Sequence, residues 1–167
     1  MFQKILIALG DLPAAEEEIL AQGLTLASQV KATVLLLHVL NPLASHGFDL
    51  PASPLVGGIL PIVDDAAISK YTQEWQKYAQ LNATGLQSYA AQAAALGIPA
   101  ETLQSFGDTG PTICSTAKTW GADLIILGRN QKSTLAEVFL GSTSNDVLHH
   151  APCSVLTIQP LGATRSN

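Results

Sequence analysis

The sequence predicts an α/β fold: a doubly wound, mostly parallel five-stranded sheet with helices on both faces and strand order 3-2-1-4-5. Three observations predict it. Apolar residues gather in short unbroken runs rich in Ile, Val and Leu, as in strands buried on both faces. Longer segments with helical patterning separate these runs. Strand and helix alternate along the chain, which calls for crossover helices and therefore parallel strands.

Ile5–Leu9 is the first run. Pro13 suits the first turn of a helix over 14–30, where a missing N–H costs nothing, and Glu16, Glu17 and Glu18 crowd its positive end. Val34–Leu40 is the second strand. A helix over roughly 67–96 follows an irregular stretch, and Gly97 stands where a C′ glycine ends such a helix. Glu101–Phe106 is a weaker run that suits a strand nearer the sheet edge. Pro111 falls at the start of a helix over 112–120, with Asp108 or Thr109 as cap and Gly121 after its end. Leu124–Leu127 is the fourth strand, a helix over 143–150 closes at Pro152, and Val155–Ile158 is the fifth strand.

A chain of 167 residues suits one domain, here 1–160 with a short tail 161–167. Eight Lys and Arg against 13 Asp and Glu leave a net charge of -5, which argues against general nucleic-acid binding. Charged residues make up 13% and hydrophobic ones 47%, so there is ample apolar surface to bury and disorder is not the general state. The longest strongly apolar run, Val34–Leu40, falls far short of the ~20 residues of a membrane span. The N-terminus carries no signal-peptide pattern, so a cytoplasmic protein is expected. Two cysteines, Cys114 and Cys153, make neither a disulfide framework nor a metal motif.

Residues 41–66 form a long stretch broken by Pro42, Pro51, Pro54, Pro61, Gly47, Gly57 and Gly58, yet rich in apolar side chains such as Leu43, Phe48, Leu50, Leu55, Ile59 and Ile62. It fits a loop laid over the body of the domain, or a lid or protein-docking surface.

In a doubly wound sheet, ligands bind beyond the carboxyl ends of the strands where the winding reverses. Two loops there carry polar or flexible residues: Ala8-Leu9-Gly10-Asp11 and Gly128-Arg129-Asn130-Gln131-Lys132-Ser133. The second runs on to Gly141-Ser142-Thr143-Ser144, which opens the last helix. Gly141 would let an anion approach the backbone, the N–H groups of 142–144 would face it with their hydroxyls as extra donors, and Arg129 and Lys132 add positive charge. A Gly-Ser-Thr sequence before a helix fits a plain N-cap as well as a phosphate cradle.

The run Gly128-x2-Gln131-x9-Gly141-Ser142, followed by Val147-Leu-His-His-Ala-Pro-Cys-Ser-Val-Leu156, resembles the universal stress protein family. So do Lys4–Ala8, Leu37-His38-Val39 and Gly121-Ala-Asp-Leu-Ile-Ile-Leu-Gly128, so that the resemblance covers nearly the whole chain. It implies a Rossmann-like fold and an ATP-type site of pattern Gly-x2-Gly-x9-Gly-(Ser/Thr). Carried over, Gly128 would face ribose and phosphates, and Gly141, Ser142 and Thr143 would hold the phosphates. Val39 would offer its backbone to the adenine edge, while Ala8, Leu9 and Gly10 would line base and ribose. Arg129, Asn130 and Lys132 complete the loop. Two positions depart from the pattern: Gln131 replaces the second glycine, and Gly10 stands where an acid is usual, with Asp11 one position later. The departures favour AMP or ADP over a triphosphate.

Other residues are weighed against plainer roles. His38 suits a satisfied core histidine better than a ligand contact, and His149 and His150 suit the negative end of a helix better than a metal. Cys114 and Cys153 suit small packed hydrophobes, Asp123 a local cap or pair, and Tyr71, Trp75 and Tyr78 a core stripe rather than a stacking platform. No nucleophile elbow, zinc-binding helix or Walker lysine is present, so an enzyme is not expected beyond weak, incidental ATP hydrolysis. The apolar last strand, Ser154–Ile158, would be covered by its counterpart in a two-fold homodimer, an interface the resemblance also implies. The sequence thus predicts a homodimeric regulator that binds ATP, ADP or AMP, with Mg²⁺ as an accompanying ion. The alternative is a stress-linked interaction module that binds no nucleotide and meets its partner through 41–66.

Overall fold

A computed structural model describes residues 1–10, 13–41, 65–128 and 141–159. Along the chain run β1 (Lys4–Leu9), α1 (Pro13–Val30), β2 (Thr33–Leu40), α2 (Asp65–Ala95) and β3 (Ala100–Phe106). These are followed by α3 (Thr109–Trp120), β4 (Leu124–Gly128), α4 (Ser142–His150) and β5 (Ser154–Ile158). The five strands form one sheet in the order β3-β2-β1-β4-β5, and every pairing is parallel. The predicted topology is the observed one.

Alternation along the central strands divides the core into two layers, because successive side chains leave opposite faces. Ile5, Ile7, Val34, Leu36, Leu124 and Ile126 meet Leu20 and Leu24 of α1 and Leu86 and Ala93 of α2. Leu6, Ala8, Leu35, Leu37, Ile125 and Leu127 meet Ile113 and Ala117 of α3 and Val147 of α4. β1, β2 and β4 are therefore apolar on both faces, as their unbroken runs predicted. β5 is not: its residues alternate between exposed and partly buried until Ile158, with Leu156 40% exposed. An edge strand has only one neighbour, so an unbroken apolar run there does not imply two covered faces. β3 lies at the opposite edge, as expected.

The helix ends follow local chemistry. Gly97 (φ 71°) and Gly121 (φ 74°) are left-handed, as predicted, and the Gly121 N–H closes α3 on the Ala117 carbonyl at 3.0 Å. Lys31 takes the same left-handed conformation (φ 58°) after α1, where the sequence offers no glycine. Asp108 occupies the N-cap position of α3 but its side chain makes no capping bond, and the helix starts early enough that Pro111 is its third residue. Asp123 does not cap its own strand. It accepts from the Gln3 and Lys4 backbone N–H groups at 2.8 and 3.2 Å, clamping the start of β1.

α2 runs back down the sheet into β3. Tyr78 stands edge-on to His38, ring centroids 6.5 Å apart, and the Gln104 amide donates to the Ala79 carbonyl at 3.0 Å. Residues 65–77 therefore rise by about 20 Å above the level of His38, while β2 continues only through Val39 and Leu40. Helix α2 overhangs the carboxyl edge of the sheet. This corrects the core-stripe expectation: Tyr71, Trp75 and Tyr78 are half-buried, stand outside both core layers, and Trp75 packs on Tyr78 at 5.7 Å.

Candidate functional site

Parallel strands end on one side, so the topology gathers Ala8, Leu9, Gly10, Val39 and Gly128 at a single carboxyl edge. The β1–β4 register ends at Ala8↔Leu127 and the β1–β2 register at Leu9↔His38, beyond which β2 runs on through Val39 beside β3. Gly141, Ser142 and Thr143 open α4 at the same edge, because α4 must start there to return to β5. Asp11, Arg129, Asn130, Gln131 and Lys132 lie outside the described residues, as do positions 42–64 of the long stretch.

The two glycines of this edge differ. Among the described residues, a Cβ on Gly10 would meet nothing within 4 Å. A Cβ on Gly128 would come within 2.3 Å of Ile19 Cδ1, so this glycine admits the close packing of α1 on β4. Its smallness serves helix–sheet packing, whatever ligand approaches from the other side.

Gly141 is the N-cap of α4, at φ −45° and ψ 156°, a conformation open to any residue. Among the described residues no side chain caps this end, and the first turn contains no acid. The Asn145 N–H makes the first intrahelical bond, to the Gly141 carbonyl at 3.0 Å, so the N–H groups of 142–144 precede the helical ladder. Such a terminus carries a partial positive charge and favours an anion. Ser142 is exposed and Thr143 partly so, whereas Ser144 is buried. The Ser144 hydroxyl donates to the Gly128 carbonyl at 3.1 Å, so it is no donor to a ligand; the expectation of three ligand-facing hydroxyls falls to two.

α4 is also seated against α3. Gly110 lacks the Cβ that would lie 2.1 Å from Asp146 Oδ2, and Asp146 Oδ1 pairs with His150 Nδ1 at 3.0 Å. The carboxylate in the middle of α4 is thus turned toward α3 and its own last turn. His150 follows the expected C-terminal placement and also reaches the Asp146 carbonyl at 2.9 Å. His38 is 3% exposed and lies on the α2 face of β2, as a core histidine. Cys114 and Cys153 pack half-buried against the α3–α4 layer, and burial pushes both thiols up, with Asp146 adding to the first and Asp123 to the second.

Two open grooves lie away from this edge. One of about 430 Å³ runs between β3 and α3, lined by Leu35, Leu103 and Trp120. Another of about 440 Å³ runs between α1 and β5, lined by Leu26, Gln29 and Leu156. Both are shallow and built on edge strands, where the sheet outruns its helices; neither gathers the groups seen at the carboxyl edge.

Fold and edge together define a doubly wound α/β protein with an anion-receptive helix terminus at the reversal of its winding. The chain belongs to the universal stress protein family, whose profile matches residues 1–159. Universal stress protein Sll1388 of Synechocystis is 35% identical over 158 residues, covering 95% of this chain and 98% of that protein. The universal stress protein UspA from Lactobacillus plantarum superposes with a TM-score of 0.71 at 22% identity, covering 94% of this chain and 97% of that one. A family protein from Arabidopsis thaliana with AMP bound gives 0.61 at 19% identity, covering 96% and 93%. At these identities the solved structures speak for the fold.

Proposed function

We propose that the chain is a regulatory nucleotide-binding protein that takes ATP, ADP or AMP at the carboxyl ends of β1 and β4. The observation that carries this reading is the first turn of α4: uncapped by any described side chain, free of acids, and set beside the last residue of β4. That terminus is suited to phosphate, and no described atom would meet a Cβ on Gly10, which fits a base and ribose at the end of β1. The AMP held by a relative of the same fold supports the choice of adenine nucleotide. Gly128, Gly141, Ser142 and Thr143 would hold the phosphate end, joined by Arg129, Asn130, Gln131 and Lys132, which follow Gly128 in sequence. Ala8, Leu9, Gly10, Asp11 and Val39 would line the nucleoside end. Mg²⁺ would accompany ATP on its phosphate oxygens.

The protein acts by binding rather than turnover, as a homodimer joined through β5, whose half-exposed Leu156 a second copy would cover. Titration calorimetry with ATP, ADP, AMP and GTP tests the reading. Saturable binding of the adenine nucleotides, weaker for GTP, is the expected outcome; silence with all four contradicts it. In that event the interaction-module alternative takes over, favoured by Gly10 and Gln131 standing where the family motif has an acid and a glycine.

A further inference from the structure

Ser144 and His38 are the two polar side chains buried among the described core residues. Ser144 is 3% exposed, and its hydroxyl bond to the Gly128 carbonyl joins positions 16 apart in sequence. It ties the third residue of α4 to the last residue of β4. A serine side chain has one rotatable bond before its oxygen, so this contact fixes the strand-to-helix distance to within hydrogen-bonding tolerance. The Asp146–Gly110 packing fixes the same helix sideways against α3. α4 is therefore seated at two points, and Ser144 is the one nearer its N-terminus.

Backbone donors hold an anion only within about 2.7–3.2 Å, so sliding the first turn by ~1 Å would lose most of their effect. Resting on the nucleotide reading above, we propose that Ser144 is a positioning residue. It touches no ligand, but by pinning α4 to β4 it aims the N–H groups of Ser142 and Thr143 at the ligand's phosphate. It governs the phosphate share of affinity and leaves the nucleoside share to the ends of β1 and β2.

The test compares ATP with adenosine, which lacks phosphate, by calorimetry on the full chain. In S144A the ratio of ATP to adenosine affinity should fall about tenfold relative to wild type. S144T, which keeps the hydroxyl, should restore that ratio. A purely structural serine would lower the melting temperature of S144A and leave the ratio alone, and that result overturns the proposal. So does a folded S144T that loses as much as S144A. Should S144A fail to fold, S144C, of similar size with a weak donor, must still show a reduced ratio. A wild-type chain that binds neither compound removes the nucleotide reading along with this one; a wild-type chain that binds ATP, with S144A at the wild-type ratio, removes only this one.

Discussion

Gly128 belongs to the motif that suggested a nucleotide, yet the residue it accommodates is Ile19. Gly128→Ala should lower stability by on the order of 1 kcal/mol in the absence of any ligand, because the tip of the Ile19 side chain must turn aside to admit a methyl. Gly10→Ala should change it by less than about 0.5 kcal/mol; chemical denaturation of the two variants checks the contrast. Tyr89 provides a pH test. Its hydroxyl donates to Glu16 at 3.2 Å, linking α2 to α1, and burial, then the Glu16 charge, raise its pKa to about 12 from an ordinary 10. The unfolded chain then releases this proton before the folded one does. Stability should be unaffected below pH 10 and fall between about 10 and 12, and Tyr89→Phe should flatten that limb in denaturation profiles. At this scale the sequence was only partly legible. The glycine and serine types were visible, but not that Gly128 answers to Ile19 or that Ser144 turns inward, because both depend on residues far away in sequence.

Elements were the most legible level, since runs of apolar residues and helix-ending glycines are local signals. The misreadings all concern neighbours. The strand order already puts Val155–Ile158 at an edge, but its apolar run overstates its burial. The Tyr71, Trp75 and Tyr78 stripe reads like a core face but joins neither core layer, with Tyr78 meeting His38 of β2. The end of α1 gives a sharp prediction. Lys31 adopts the left-handed conformation that costs a side-chain-bearing residue about 1 kcal/mol or more, while the Ala32 N–H returns to the Ala27 carbonyl at 3.0 Å. Replacing exposed Lys31 by Gly should therefore stabilise the fold by roughly 0.5–1 kcal/mol, a rise in melting temperature of a few degrees. An unchanged or lower melting temperature would show that the Lys31 side chain contributes more than its backbone loses.

On the scale of the whole molecule, one all-parallel sheet with two covered faces leaves two half-covered edges, β3 and β5. Among the described residues no helix is long and apolar enough to cross a membrane. If β5 joins two copies, a charge at its exposed apolar position should separate them: Leu156→Lys should sediment as a monomer where the wild type sediments as a dimer, with its helical signal intact. A wild-type monomer, or a variant that stays dimeric, would place the interface elsewhere. The gathering of β1, β2, β4 and α4 at one edge was legible from strand order alone, whereas the chemistry of positions 129–132 remains a matter of sequence.

The central claim is that the first turn of α4 receives a nucleotide's phosphate. Equilibrium unfolding with and without a hundredfold excess of AMP or Mg-ATP over its dissociation constant tests it most directly, beside the Gly141→Glu variant. The account predicts about 2.7 kcal/mol of added stability for the wild type and none for Gly141→Glu, whose carboxylate would stand in the phosphate position. Equal stabilisation of both proteins would contradict it.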